Sequence, residues 1–211
     1  MIYVGGRQMK IYQQYYSTLF LVMRDFRQQL IELSKEQEKA THRKLFEHLT
    51  SRVKSSTSME EKCLRKGIPA TLYSALKINK DAIGIRLVVD YIDDIYNCIK
   101  AIESLDNCKI VKKKDYVTHS KKNGYRSYHL ILNVTTNYRD LDGNDHGHYY
   151  IEVQIRTLAM DAWASLEHEL KYKHQIKNAE VIQRELKKCA DDLAACDIQM
   201  KTIKELIDKE K

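Results

Sequence analysis

Residues 177–211 contain neither Gly nor Pro, and the apolar positions Ala179, Ile182, Leu186, Cys189, Leu193, Cys196, Met200, Ile203 and Ile207 step alternately by three and four. That spacing draws one seam along a single helix, sustained over about four heptads. A seam of this length has to be covered. The chain's own N-terminal helix and a second subunit are equally good partners for it. Tyr12, Tyr16, Leu19, Met23, Phe26, Leu30 and Leu33 repeat the same alternation, so an amphipathic helix is predicted over 12–33.

The whole chain is poor in helix breakers. Seven Gly and one Pro in 211 residues rule out collagen-like, low-complexity and loop-rich all-β readings. With 43% apolar residues there is material for a core, and 31% charged residues keep the surface solvated. The five Cys form no Cys-x-x-Cys pair, which argues against a disulfide scaffold or a zinc ribbon and fits a reducing cytoplasm. No stretch of about 18 apolar residues occurs, so no membrane span is expected. The opening residues, Met1 to Gly6, lack the charged region and long apolar run of a secretory signal.

Between the two amphipathic ends the pattern is α/β (α+β). A second helix is predicted over 36–49, then a polar stretch over 50–58, then a short helix near 59–66 capped by Thr57 or Ser58 and ended by Gly67. Ile83-Gly-Ile-Arg-Leu-Val-Val89 reads as a buried strand, 93–105 as a helix, and 108–113, 127–134 and 149–155 as strands, with a turn at Asp142-Gly143. On the strand over 127–134, Tyr128, Leu130 and Leu132 share a face. A helix over 158–173 precedes the seam. The expected organisation is an N-terminal helical segment (1–50), a central α/β domain (51–175) and a C-terminal amphipathic helix (176–211).

The formal charge of +7 is concentrated: residues 109–126 hold seven bases against the single acid Asp115. Such a strip fits a polyanionic ligand, and equally a strand edge guarded by lysines. Two carboxylates stand out against it. Asp81 precedes a buried strand. Glu152 sits inside the apolar run Tyr150-Ile-Glu-Val-Gln-Ile155, where alternation puts Ile151, Val153 and Ile155 on one face and Glu152, Gln154 and Arg156 on the other. Acids from neighbouring strands could share one divalent ion against phosphates; a solvated Glu152 paired with Lys or Arg is the competing reading. In Lys121-Lys-Asn-Gly-Tyr-Arg-Ser-Tyr-His129, cations flank an amide, a Gly that permits close backbone approach, and a Tyr able to stack on a base. A basic turn accounts for Asn123-Gly124 but not for cations on both sides. Asp142, Asp145, His146 and His148 are read as a polar loop rather than a metal site, and Trp163, Met23 and Met200 as packing.

Taken in order, Arg52-Val-Lys54 with Ser58 and Lys62, Asp81-Ala-Ile-Gly-Ile-Arg86, Lys114-Asp-Tyr116, the Lys121–His129 run and Glu152-Val-Gln-Ile-Arg-Thr157 resemble the synthetase domain of the RelA/SpoT family. Met160-Asp-Ala-Trp-Ala-Ser-Leu-Glu-His168 with Tyr172-Lys173 looks like its short, stand-alone members, the small alarmone synthetases. The resemblance implies a nucleotidyltransferase-like mixed sheet flanked by helices, with N- and C-terminal helical extensions. It implies transfer of pyrophosphate from ATP to the 3′-hydroxyl of GDP or GTP, making (p)ppGpp and AMP with Mg²⁺. Asp81 and Glu152 would hold the metal, with Glu152 as the base. Arg52 would stack on adenine, while Lys54, Ser58, Lys62 and Arg156 would hold ATP phosphates. Tyr125 would stack on guanine beside Asn123 and His129, and Lys114 and Lys121 would face the acceptor's phosphates. A cytoplasmic homotetramer is implied, with single-stranded RNA as a candidate regulator.

The chain departs from the family in four places. Lys122 stands where Pro is common. Asp93-Asp94 occupy the region where long members carry a second adenine-stacking Arg. His48 replaces the Phe of product-stimulated members, which argues against feedback activation. No His-Asp dipeptide occurs, so a hydrolase site is not expected in these residues. Two rival readings remain. One is a toxic relative that pyrophosphorylates tRNA 3′ ends or adenosine nucleotides. The other is a non-catalytic RNA-binding scaffold.

Overall fold

The computed structural model describes residues 11–173 and 178–210. The opening segment 1–6, and the side chains of Tyr172 and Lys173, lie outside the described residues. In chain order the elements are α1 (Tyr15–Thr41), β1 (His48–Val53), α2 (Ser56–Arg65), a π turn (Ser74–Ile78), β2 (Ile83–Val89), α3 (Ile92–Glu103), β3 (Cys108–Asp115), β4 (Tyr128–Thr135), β5 (His148–Thr157), α4 (Leu158–Lys173) and α5 (Ala179–Lys209). The strands form one mixed sheet in the order β1-β2-β5-β4-β3. Only β2 and β5 run parallel; the other neighbours are antiparallel.

Alternation decides which face of the sheet is core. Ile83, Ile85 and Leu87 of β2, Leu130, Leu132 and Val134 of β4, and Ile151, Val153 and Ile155 of β5 are all buried. Leu19, Val22, Met23, Phe26 and Leu30 of α1 and Ile95, Cys98, Ile99 and Ile102 of α3 join the same core. The opposite face carries Gly84, Arg86, His129, Glu152 and Gln154. α1 and α3 thus cover one side of the sheet, while on the polar side Asp161 of α4 reaches Arg86 and Arg156. Phe26 is 2% exposed at the centre of the α1 stripe. Phe26→Ala is expected to cost about 3–5 kcal/mol through the cavity it leaves, read as a lower urea midpoint at unchanged slope.

Three parts of the fold differ from the sequence expectation. No helix spans 36–49. α1 continues to Thr41, His42 ends it in a left-handed turn (φ 55°), and the polar stretch begins with the strand β1. Leu49 and Val53 reach the core while His48, Thr50 and Arg52 point away, so an edge strand with a working outer face reads as polar. The boundary at residue 50 therefore falls inside β1. The cap of α2 is Ser55, whose hydroxyl accepts from the Ser58 N–H, rather than Thr57 or Ser58.

The third difference is the rotation of α5. Its buried residues are Ala190 and Asp197, with Leu186 and Leu193 packed alongside, and it lies on α4 and α3 rather than on α1. Met200, Ile203 and Ile207 of the predicted seam are about half exposed, so Met200 is not a packing residue within the chain. Asp93 and Asp94, in the first turn of α3, bind Lys201 and Lys204 of α5. Helix docking by charge pairs replaced the apolar seam there. Among the described residues no helix is long and apolar enough to cross a membrane.

Candidate active site

The open face of the sheet holds a cleft of about 350 Å³ lined by Thr50, Ser51, Arg52, Lys54, Asp81, Gly84, Ile85, Arg86, Glu152 and Gln154. Antiparallel pairing sets Arg52 opposite Gly84 and Thr50 opposite Arg86. Parallel pairing sets Gly84 beside Glu152 and Arg86 beside Gln154. Gly84 leaves the floor low between the two strands that carry charge.

Asp81 enters from the turn before β2 and is 6% exposed. Lys54 and Lys62 both donate to its Oδ2, while its Oδ1 is buried with no partner. Lys62 comes from α2, whose N-terminal turn also holds Ser58. Ser58 is exposed and pairs with the Ser55 hydroxyl at 3.0 Å; it is not part of the cleft wall. Its place in the first helical turn still suits an anion, because the amide N–H groups there lack helical acceptors.

Glu152 is held at the other wall. His129 Nδ1 lies 3.3 Å from its Oε1, and Gln154 donates to its Oε2 at 3.2 Å. Burial pushes the Glu152 carboxyl up. The His129 contact, the Gln154 hydrogen bond and the Lys54 charge outweigh that and bring it to about 2. The network continues outward: Arg156 donates to the Tyr125 hydroxyl at 2.8 Å, and that oxygen lies 2.8 Å from His129 Nε2. A guanidinium can only donate and an ionised carboxylate can only accept. The direction is therefore Arg156 to Tyr125 to His129 to Glu152, which fixes a neutral His129 as the Nδ1–H tautomer.

Tyr125 stands at the rim. Tyr116, His129 and Trp163 meet its ring edge-on, and Lys121 and Arg156 place their charges over it at 4.7 and 5.2 Å. Lys114 pairs with His129 across β3 and β4 and is exposed. The amide of Asn123 is engaged locally, accepting from the Tyr125 N–H and donating to Glu167 of α4. Arg156 is 5% exposed and bound to Asp161 at 2.9 Å, so it stands with the Tyr125 platform rather than with Lys54 and Lys62.

The sequence reading gave no role to Arg86, Gln154, Tyr116 or Asp161. Alternation could have found the first two, since they share the face of Gly84 and Glu152. Arg86 reaches Asp161 at 3.1 Å, and burial followed by the charge of Arg156 lowers its pKa from the ordinary value. Tyr116 and Asp161 stand inside the family-like motifs, but residue type and spacing gave neither a role. The loop over 140–148 is organised around Asp140. Asp140 accepts from the N–H groups of Asp142, Asn144 and His148 and from the Asn144 amide; burial opposes its ionisation, but these bonds and the Lys77 charge bring it to about 2. The lysines of 109–114 lie on β3, an edge of the sheet, a position compatible with both readings of the basic strip.

These residues, in this arrangement, match the family described as the region found in RelA / SpoT proteins over residues 51–177. The chain belongs to that family. It is 39% identical over 162 residues to the GTP pyrophosphokinase YwaC of Bacillus subtilis (strain 168), covering 77% of this chain and 75% of that one. It is similar to the small alarmone synthetase 1 of Bacillus subtilis bound to its product pppGpp, with a TM-score of 0.81 and 27% identity over 93% of this chain and 97% of that one. The same synthetase bound to AMPCPP matches with a TM-score of 0.76 and 26% identity, covering 94% and 98%. The RelA/SpoT fold is thus shared along nearly the whole chain, including both helical extensions.

Proposed function

We propose that this chain is a (p)ppGpp synthetase. It moves a diphosphoryl group from ATP to the 3′-hydroxyl of GDP or GTP and releases AMP. The ribose 3′-oxygen forms a bond to the β-phosphorus, the bond from that phosphorus to the α,β-bridging oxygen breaks, and the ribose proton passes to Glu152. The observation that carries this reading is the meeting of Asp81 and Glu152 in one cleft walled by Arg52, Lys54 and Arg86. That a relative is named a GTP pyrophosphokinase, and that a structural neighbour binds pppGpp and AMPCPP, supports it.

The donor set fits Mg²⁺. The buried, unpartnered Oδ1 of Asp81 is a hard oxygen donor, and Glu152 supplies another across the cleft. When bound, the ion would neutralise charge on the transferred group. Lys54, Lys62 and the first turn of α2 with Ser58 would orient the ATP phosphates. Arg52 and Arg86 share the cleft face, so Arg86 takes the place of the second adenine-stacking Arg, and Asp93 and Asp94 serve to dock α5. Tyr125 would receive guanine, with His129, Asn123 and Arg156 holding the platform and Lys114 and Lys121 near the acceptor's phosphates. The exposed Ile198, Met200, Ile203, Leu206 and Ile207 of α5 support assembly with further copies of the chain.

Purified protein with Mg²⁺ and ATP is expected to convert GDP to ppGpp and GTP to pppGpp, each with AMP, read by mass. ADP and tRNA offered in parallel should stay unmodified. A folded protein that yields no guanosine product, or that modifies tRNA instead, would overturn the assignment.

A further inference from the structure

Gly124 precedes the Tyr125 platform with φ +93° and is buried. The sequence suggests that this glycine lets a ligand approach. In the fold its bare Cα faces α5 instead: a Cβ built there would lie 2.5 Å from the Cβ of Ala190 and 3.2 Å from Cδ of Lys187. Ala190 is 4% exposed, and with Asp197 it is one of two buried residues of α5. Two turns further on, the Asp197 carboxylate accepts from the Thr157 hydroxyl at 2.7 Å. Thr157 also accepts the Met160 N–H and ends β5, the strand that carries Glu152. Trp163 of α4 donates its indole N–H to the Leu186 carbonyl of α5 at 2.8 Å and meets Tyr125 with its ring. Arg126 lines the small space between Gly124, Ala190 and Asp197.

The loop that presents Tyr125 is therefore clamped from behind by a helix reached only after most of the chain has passed. Nothing in the chemistry of transfer needs α5, yet its buried residues are spent on this loop and on the end of β5. We propose that Ala190 and Asp197 are positioning residues for the acceptor nucleotide. Ala190 fixes the height of the Tyr125 loop through Gly124, and Asp197 fixes the helix that holds Ala190. The inference rests on the reading of Tyr125 as the guanine platform. It separates the two substrates, because Arg52, Lys54, Lys62 and Asp81 lie on other elements.

The test is titration calorimetry with GDP and with a non-hydrolysable ATP analogue, each with Mg²⁺, on the full chain. Ala190→Leu is expected to weaken GDP by about tenfold or more as the added carbons push the loop outward, with ATP-analogue affinity held within about twofold. Ala190→Gly, which removes the Cβ that faces Gly124, should weaken GDP in the same direction but by less. Asp197→Ala should weaken GDP in the same direction, and Asp197→Asn, which still accepts from Thr157, should restore it. Where Leu at position 190 costs the fold, as judged by far-UV circular dichroism, the Asp197 pair reads the same clamp from its other end. GDP binding undiminished in folded variants, or GDP and ATP-analogue binding falling together, would overturn the inference alone. A parent chain that binds no GDP would overturn the functional reading and this inference with it.

Discussion

Glu152→Gln is expected to slow diphosphoryl transfer by about 10²–10⁴-fold while the protein still binds both nucleotides. Gln has the same shape but only one acceptor oxygen; the His129 Nδ1–H and the Gln154 amide bind different oxygens of Glu152, so the variant keeps one of these two hydrogen bonds and sets an NH2 group against the other donor. What it loses is the negative charge, and with it the ability to take a proton and to bind a cation firmly. A ribose hydroxyl is a poor nucleophile at neutral pH, so loss of the acceptor of its proton falls on the chemical step. The readout is product formed per enzyme under saturating ATP and GDP. A Glu152→Gln variant that turns over at near the parent rate would remove Glu152 from the mechanism. A second consequence concerns stability. The Glu152 pKa in the fold is about 2, below the ordinary carboxylate value of about 4.3. A group depressed by folding stabilises the native state above its unfolded pKa and ceases to do so as pH falls through the folded one. The parent's urea midpoint should therefore exceed that of the Gln variant by a constant margin above about pH 5, and the margin should shrink as pH falls toward 2.

Most strands were legible because their alternation is clean. Ile83-Gly-Ile-Arg-Leu-Val-Val89 and the Ile151, Val153, Ile155 set could form nothing else that buries them, and they fell where the pattern put them. β1 escaped because an edge strand with a working outer face shows only Leu49 and Val53 to the core, too few to set a period. α5 was found as a helix, and Leu186 and Leu193 of its seam pack on the domain, but Met200, Ile203 and Ile207 do not. A heptad count scores apolar residues, whereas the face that docks is small and polar: Ala190 against a glycine, Asp197 on a threonine, Lys201 and Lys204 on α3. The site behaves likewise. Asp81 and Glu152 were conspicuous because an acid beside or within an apolar strand is costly without a partner. Arg86 and Gln154 were hidden because their importance lies in which strand they neighbour, and β2 and β5 are over sixty residues apart in sequence. At Asn123 turn chemistry and ligand chemistry use the same amide, so residue type alone does not separate them; in the fold its bonds go to the Tyr125 N–H and Glu167.

Asp81→Asn should abolish metal-dependent transfer to a similar degree, about 10²–10⁴-fold, yet leave ATP binding in the absence of metal intact or tighter. Asp81 does two things in the free protein. Its Oδ2 draws the Lys54 and Lys62 ammonium groups together, and its Oδ1 stays buried without a partner. The carboxylate thus holds Lys54 and Lys62 together, and on the proposed reading these would bind phosphate while its free oxygen would take a cation. Removing its charge leaves two ammonium groups facing each other with side chains only about one-fifth exposed. Loss of these charge-assisted hydrogen bonds should lower stability by about 1–3 kcal/mol. A polyphosphate is the natural replacement anion for that pair, so metal-free ATP should recover much of the lost stability. Calorimetric titration of ATP with EDTA and with Mg²⁺, beside thermal unfolding with and without ATP, separates the roles. The parent should bind ATP more tightly with Mg²⁺ than without, and the Asn variant should show no such difference. If Mg²⁺ still strengthens ATP binding and drives transfer in the Asn variant as it does in the parent, Asp81 is no metal ligand, and the pair it forms with Lys54 and Lys62 serves the fold alone.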